Sequence, residues 1–190
     1  MAKTGERKAQ ILQTLAAMLE DPKGERITTA LLAGRLEVSE AALYRHFSSK
    51  AQMFEGLIEF IEQTVFSLVN RIQAEEPDAM KQVEATVATL LGFAQKNPGM
   101  TRVLIGDALV NEDERLQSRV NQLLDRLEAS LRQSARLAAG AGTLPAEWDV
   151  NGYANALIAF VIGRWHQFAK SGFKRPPMDG WAQQWRVFAA

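Results

Sequence analysis

Apolar residues recur at the spacing of an α-helix along almost the whole chain, and this periodicity restricts the fold more than any other feature. In residues 8–20, one helical face carries Ile11, Leu12, Leu15, Met18 and Leu19. Proline and glycine stand between such segments, as in residues 21–24 and 97–99. No two-residue hairpin turn joins runs of alternating apolar and polar residues. The sequence therefore predicts an all-α protein.

The predicted helices fall into two groups of different length. The first fifty residues hold three short helices, and the remainder holds mostly long ones. The predicted ranges are 8–20, 30–36 and 39–47 in the first group, and 50–73, 80–96, 101–110, 113–139, 146–171 and 180–190 in the second. We therefore predict two domains, residues 1–50 and residues 51–190, without a flexible linker between them.

Composition argues against several classes of function. The 190 residues include 22 Lys and Arg against 22 Asp and Glu, so nucleic-acid binding would require a local basic surface. There is no cysteine, no glycine-rich phosphate loop and no His-Glu-x-x-His motif. We therefore predict a protein that is not an enzyme and needs no cofactor or metal. The longest charge-free apolar stretch, 151–163, is shorter than the ~20 residues of a spanning helix, so no membrane partner is expected.

Residues 27–50 have the layout of a helix-turn-helix. The hydroxyl groups of residues 28–29 can cap a short helix, residues 36–38 form a tight connection, and Ser39 can cap a second helix. Leu43 and Phe47 lie four residues apart and therefore share the inward face of that second helix. Proteins that bind the DNA major groove in this way use a supporting helix, a sharp turn and an exposed second helix. The sequence therefore predicts DNA binding.

The predicted DNA contacts lie at the start and on the outer faces of these two helices. Ser39 can reach a phosphate or a base edge, and Arg45 can bind guanine through two hydrogen bonds or bind phosphate. Tyr44, His46 and Lys50 are donors suited to the oxygens of the DNA backbone. The whole predicted set is Thr28, Thr29, Ser39, Ala42, Tyr44, Arg45, His46 and Lys50.

Local charge gives this interpretation limited support. Positive charge near the motif comes from Lys3, Arg7, Lys8 and Arg26, but residues 1–50 hold eight Lys and Arg against six Asp and Glu. An alternative therefore stays open in which Tyr44 and His46 are packed in the interior. In that alternative Arg45 is an ordinary solvated charge.

The motif resembles a known family of regulators. Thr28-Thr29, then residues 38–47 (Val-Ser-Glu-Ala-Ala-Leu-Tyr-Arg-His-Phe), then Ser49-Lys50 and Met53-Phe54, are similar to the DNA-binding domain of the TetR family. The resemblance implies an all-helical homodimer, a palindromic DNA site, and a C-terminal domain for regulation and dimerisation. It also implies glycine at the turn position that Glu37 occupies here. If that turn requires a positive φ, Glu37 carries strain of about 1 kcal/mol.

The chain from about residue 10 to 135 is similar to one branch of that family, which acts in nucleoid occlusion. The matching stretches are 26–30, 57–62, 90–93, 97–99 with 101–102, and 115–117 followed by 119 and 121–123. The resemblance implies a nucleoid-associated, cytoplasmic protein that binds specific chromosomal sites. While DNA-bound, it would antagonise assembly of the division protein FtsZ. It implies a homodimer, and a dimer of dimers on one site as an alternative.

The resemblance also implies a docking site for the C-terminal tail of FtsZ. Phe60, Gly92 and Asn97 match that branch. Lys96 stands where the branch has Arg, Leu68 where it has a second Arg, and Thr89 where it has Leu. We consider Arg71, three residues from Leu68, as a substitute for the missing Arg. The predicted partner-binding set is Phe60, Leu68, Arg71, Thr89, Gly92, Lys96 and Asn97.

The C-terminal helices carry two broad apolar stripes, in residues 116–131 and 154–165. Such stripes normally form the core, and the resemblance implies that part of them joins the two subunits in a four-helix bundle. The alternative function is a TetR-like transcriptional repressor controlled by a small molecule. Among the few polar candidates to grip such a ligand are Tyr153 and His166.

Overall fold

The computed structural model describes residues 4–21, 27–145 and 147–189. Within these ranges the regular structure consists of α-helices and one 3₁₀ helix, without strands, so the prediction of an all-α protein is confirmed. The helices are α1 (Thr4–Met18), α2 (Thr29–Arg35), α3 (Glu40–Tyr44), α4 (Lys50–Glu75), α5 (Ala79–Lys96), α6 (Pro98–Leu104), the 3₁₀ helix Asp107–Leu109, α7 (Glu114–Gly140), α8 (Val150–Lys170) and α9 (Trp181–Phe188).

Several predicted helices have different bounds in the structure: α1 begins and ends earlier than the range 8–20, and α3 is shorter than the range 39–47. Two further differences have a clear local cause. The range 101–110 is wrong: α6 begins at Pro98, a residue favoured at the first helical position. It ends at Leu104, shortly before Gly106, which has φ 78° and cannot continue the helix. Helix α8 begins at Val150, because the Asp149 carboxylate accepts hydrogen bonds from the backbone N–H groups of Asn151 and Gly152. Ala146, the predicted start, lies outside the described residues.

The chain forms two compact units, and α4 and α7 contribute residues to both. The first unit comprises the described residues of Met1–Ile61 and of Asn97–Val120. Its core is built from one apolar face of each helix, as the periodicity predicts. The buried side chains include Ile11, Leu15, Leu32, Leu43, Phe54, Leu57, Val103 and Leu116.

Helices α1 and α6 approach each other closely in the first unit. A β-carbon added to Gly99 would lie 2.0 Å from the backbone oxygen of Ala16, so only glycine fits this crossing. Arg102 connects α6 to the end of α1, because its guanidinium donates hydrogen bonds to the backbone oxygens of Leu19 and Asp21. The same guanidinium forms an ion pair with Asp107 at 2.8 Å. Residues 98–107 therefore hold the C-terminal end of α1 in place.

The second unit comprises Glu62–Lys96 and the described residues of Asn121–Ala190. Its core includes Val65, Val87, Leu90, Leu127, Leu131, Leu157, Val161 and Trp165. The indole N–H of Trp165 donates to the backbone oxygen of Leu90 at 3.1 Å, which ties α8 to α5. A small polar network lies in the same unit, where the Ser134 hydroxyl donates to Gln82 at 3.0 Å. Among the described helices, none has the length and apolar character needed to cross a membrane.

Candidate nucleic-acid interface

Two hydroxyl caps define the starts of α2 and α3, as the sequence predicts. Thr28 Oγ1 accepts from the backbone N–H of Leu31 at 3.2 Å, and Ser39 Oγ accepts from that of Ala42 at 3.3 Å. Each hydroxyl uses its oxygen in the cap and keeps its proton to donate. Both side chains are exposed, so these protons can reach an approaching phosphate.

The turn between α2 and α3 places Glu37 in the left-handed region, with φ 54°. The backbone N–H of Glu37 donates to Gly34 O at 3.1 Å, and that of Val38 donates to Ala33 O at 3.0 Å. This pair of bonds is the Schellman motif, whose left-handed position is usually glycine. The condition stated for this turn is therefore met, and Glu37 carries the strain of a left-handed backbone conformation.

The outer face of α3 offers donors to solvent. Tyr44 is 47% exposed and Arg45 is exposed too, whereas Leu43 and Phe47 are buried as predicted. The alternative in which Tyr44 packs in the interior is therefore wrong. His46 is half-buried, and its Nδ1 is buried without a hydrogen-bond partner among the described residues. Ala42 is half-buried on the same short helix.

Thr29, Glu40 and Tyr44 form a polar chain across the two helices. Thr29 Oγ1 donates to Glu40 Oε2 at 2.5 Å, and the Tyr44 hydroxyl donates to Thr29 Oγ1 at 3.5 Å. The Thr29 proton is therefore engaged within the protein, unlike those of Thr28 and Ser39. Glu40 is not among the DNA contacts predicted from the sequence. A contact between residues 11 positions apart depends on how α2 crosses α3, so no local signal could have revealed it.

Lys50 is paired within the first unit. Its Nζ lies 2.5 Å from Glu112 Oε1, and the two side chains are only 21% and 10% exposed. A cavity of about 160 Å³ adjoins this ion pair, lined by Lys50, Glu112, Arg102 and Asp107 among others. Sequence reasoning missed Glu112, which lies 62 residues away in the sequence.

Of the predicted surrounding cations, Arg7 donates to Gln10 at 2.6 Å and Lys8 lies 5.5 Å from the centre of the Phe47 ring. Lys3 and Arg26 lie outside the described residues.

The predicted partner-binding residues divide between the units. Phe60 and Asn97 belong to the first unit, where Phe60 is 47% exposed and Asn97 precedes α6 as its N-cap residue. The other five belong to the second unit: Leu68 and Arg71 on α4, and Thr89, Gly92 and Lys96 on α5. The α5 residues follow the spacing of one helical face.

Within the second unit, three of these residues have accessible surroundings. Lys96 is exposed, and a β-carbon added to Gly92 would meet no atom of the described residues within 4 Å. Arg71 is exposed and lies 3.9 Å from Glu75, a surface pair of little energetic weight. Leu68 and Thr89 are half-buried. The face of α5 therefore has room for a partner.

Tyr153 and His166, the two residues predicted to bind a small-molecule ligand, are poorly placed for that role. The Tyr153 hydroxyl donates to the backbone oxygen of Phe188 at 3.0 Å, and burial raises the pKa of Tyr153 to about 12. His166 is exposed on α8. Among the described residues, no group of three or more His, Asp or Glu side chains could hold a metal ion.

Comparison with known proteins identifies the family. Residues 23–57 match the family described as bacterial regulatory proteins, tetR family, and residues 77–190 match the tetracyclin repressor-like C-terminal domain. Nucleoid occlusion factor SlmA of Marinomonas sp. (strain MWYL1) is 50% identical over 187 residues, which cover 98% of this chain and 95% of that protein. The SlmA protein of Alteromonas mediterranea is 51% identical over 185 residues, covering 96% and 93%. The chain belongs to the SlmA family of nucleoid occlusion factors.

Solved structures of TetR regulators share the fold at low sequence identity. A TetR transcription regulator from Haloarcula marismortui has a TM-score of 0.81 at 14% identity, with 97% of each chain covered. The fatty acid degradation regulator FadR from Bacillus halodurans has a TM-score of 0.80 at 13% identity, with 97% of this chain and 95% of that chain covered. An SlmA-family chain thus has the helical architecture of TetR regulators.

Proposed function

We propose that the protein binds specific palindromic chromosomal sites as a homodimer and, while DNA-bound, inhibits FtsZ assembly by binding the FtsZ C-terminal tail. Residues 1–50 read the DNA, and residues 51–190 serve dimerisation and partner binding. The protein acts as a regulator at the nucleoid in the cytoplasm, not as an enzyme, and needs no cofactor. The observation that carries this proposal is the 50% identity to an SlmA protein over 98% of the chain.

The DNA step follows from donors that flank α2 and α3. Arg45 is exposed and makes no ion pair with another described residue, so its guanidinium can bind a guanine edge through two hydrogen bonds. Thr28 and Ser39 supply hydroxyl donors at the two helix starts, where backbone N–H groups also favour phosphate. Lys50 reaches a phosphate only after it leaves Glu112.

The dimerisation step uses α7 and α8. A shallow groove between these helices in the second unit is lined by Asn121, Leu124, Asp125, Glu128, Asn155, Ile158, Ala159 and Ile162. Apolar side chains such as the half-buried Leu124 and Ile162 are flanked by polar ones, as at the centre and rim of a subunit interface. A second copy of α7 and α8 would complete a four-helix bundle. Ile162→Asp should therefore give monomers in analytical ultracentrifugation.

The partner step uses the face of α5 that carries Thr89, Gly92 and Lys96. The open space above Gly92 lets a peptide backbone approach the helix, and Lys96 supplies a cation for a carboxylate of the peptide. The Lys96 ammonium binds a carboxylate as a point charge, so it holds the peptide less specifically than an Arg guanidinium, which forms two parallel hydrogen bonds. Arg71 can supply such a guanidinium, because its surface pair with Glu75 is easily broken.

The test is fluorescence anisotropy of a labelled FtsZ C-terminal tail peptide with the intact protein. Gly92→Ala should stabilise the helix by about 0.5–1 kcal/mol and at the same time weaken peptide binding, because its methyl group occupies the approach path. Gly140→Ala is the matched control, since its added β-carbon also meets nothing within 4 Å and it lies at the end of α7. Equal peptide affinity in both variants and the wild type would contradict the placement on α5. No binding by the wild type would contradict the FtsZ partnership.

A further inference from the structure

We propose that Glu40 is a specificity-determining residue, whose fixed carboxylate reads an exocyclic amino group in the DNA major groove, with cytosine N4 preferred. The inference rests on the proposed DNA-binding function and deepens it. Glu40 is the first residue of α3, directly after the Ser39 cap, and its side chain is exposed. In helix-turn-helix proteins, the N-terminal residues of the second helix are the ones that contact base edges.

The carboxylate is held in position before DNA arrives. The hydroxyl of the half-buried Thr29 donates to Glu40 Oε2 at 2.5 Å, a distance typical of a hydrogen bond to a charged acceptor. Thr29 in turn accepts a longer bond, 3.5 Å, from the Tyr44 hydroxyl. Tyr44 lies four residues after Glu40 and therefore on the same side of α3. The network fixes the Glu40 side chain to the neighbouring helix, which lowers the entropy cost of using it for recognition.

The chemistry of this group selects its target. An ionised carboxylate only accepts hydrogen bonds, and a phosphate offers it none. In the major groove, the amino groups of cytosine and adenine are the donors, and Glu pairs with cytosine N4. No described cation pairs with Glu40, so its charge stays uncompensated at the face offered to DNA. The residue therefore favours a site that presents an amino group and disfavours duplexes that present only acceptors there.

The experiment is selection of binding sites from a randomised duplex library by the full-length protein, followed by affinity measurements on single-base variants of the selected site. The wild type should select cytosine at one position of each half-site, with a penalty of about tenfold for replacing it, which is within the range for one mismatched base pair. Glu40→Gln should shift that preference to adenine, because a Gln amide pairs with adenine N6 and N7. Thr29→Val, which removes the hydroxyl that holds Glu40, should reduce the cytosine preference to less than about threefold.

Glu37→Gln is the charge-matched control, because Glu37 is an exposed residue of the same motif that makes no side-chain bond to α2. It should leave the selected sequence unchanged. Circular dichroism and thermal unfolding of each variant check that the helices persist. A selected sequence that is identical for the wild type, Glu40→Gln and Thr29→Val would overturn the role of Glu40 while leaving DNA binding intact. If the wild type enriches no sequence, the proposed site-specific DNA binding fails, and the role of Glu40 fails with it.

Discussion

Replacing Glu37 with glycine should stabilise the protein, because this residue holds a left-handed backbone conformation with φ 54°. The left-handed region costs an ordinary L-residue about 1–2 kcal/mol, and glycine almost nothing. Glycine also makes the unfolded chain more flexible, which offsets about 0.4–1 kcal/mol of the gain. The net stabilisation of Glu37→Gly is therefore between about 0 and 1.6 kcal/mol, with a central value of about 0.8 kcal/mol. In a chain of this length that corresponds to a rise in Tm of about 1–4 °C.

The assay is urea and thermal unfolding of the full-length protein at one fixed concentration. Glu37→Ala is the control, because it removes the same carboxylate but keeps the β-carbon that makes the left-handed conformation costly. We expect Glu37→Ala to be no more stable than the wild type and Glu37→Gly to be more stable than both. Equal free energies of unfolding for the alanine and glycine variants would show that the left-handed conformation does not destabilise the protein at Glu37.

Four further predictions concern DNA binding and packing. Arg45→Ala should lower the ratio of specific to random duplex affinity, since a base-edge Arg contributes about 1–3 kcal/mol; an unchanged ratio in titrations would show that Arg45 reads no base. Lys50→Ala should weaken all duplexes about equally and reduce the salt dependence by about one unit, which affinity titrations over a range of salt would detect. Gly99→Ala should destabilise the protein by about 1–3 kcal/mol or more in urea unfolding, because its methyl group would lie 2.0 Å from the Ala16 backbone oxygen. Burial raises the pKa of Tyr153 to about 12, so its contribution to stability is complete below pH 10 and is lost as the pH rises towards 12. Tyr153→Phe should make stability less dependent on pH in that window.

Local features of the helix-turn-helix could be predicted from the sequence because they depend on neighbouring residues. The Thr28 and Ser39 caps bond to N–H groups three residues away, and the left-handed φ of Glu37 follows from the turn itself. The exposure of Tyr44 and Arg45 follows from the opposite face carrying Leu43 and Phe47.

Contacts between distant segments could not be predicted. The engagement of Thr29 with Glu40 and of Lys50 with Glu112 depends on helix crossings that a single sequence does not specify. Gly99 shows the same limit: the Asn97-Pro98-Gly99 stretch indicates the end of a helix, and α5 does end there. Gly99 itself lies inside α6, where it allows α1 to approach closely. No pattern in the sequence distinguishes a glycine at a helix crossing from a glycine that ends a helix.

The proposed dependence of FtsZ inhibition on bound DNA can be measured directly. FtsZ assembly would be followed by light scattering with the full-length protein alone, with a duplex selected by it, and with a scrambled duplex of equal length. Assembly should be suppressed most strongly with the selected duplex. Arg45→Ala should remove most of that difference. Equal assembly in the three conditions, with the protein folded and bound to its duplex, would contradict the proposal that the DNA-bound form restrains division.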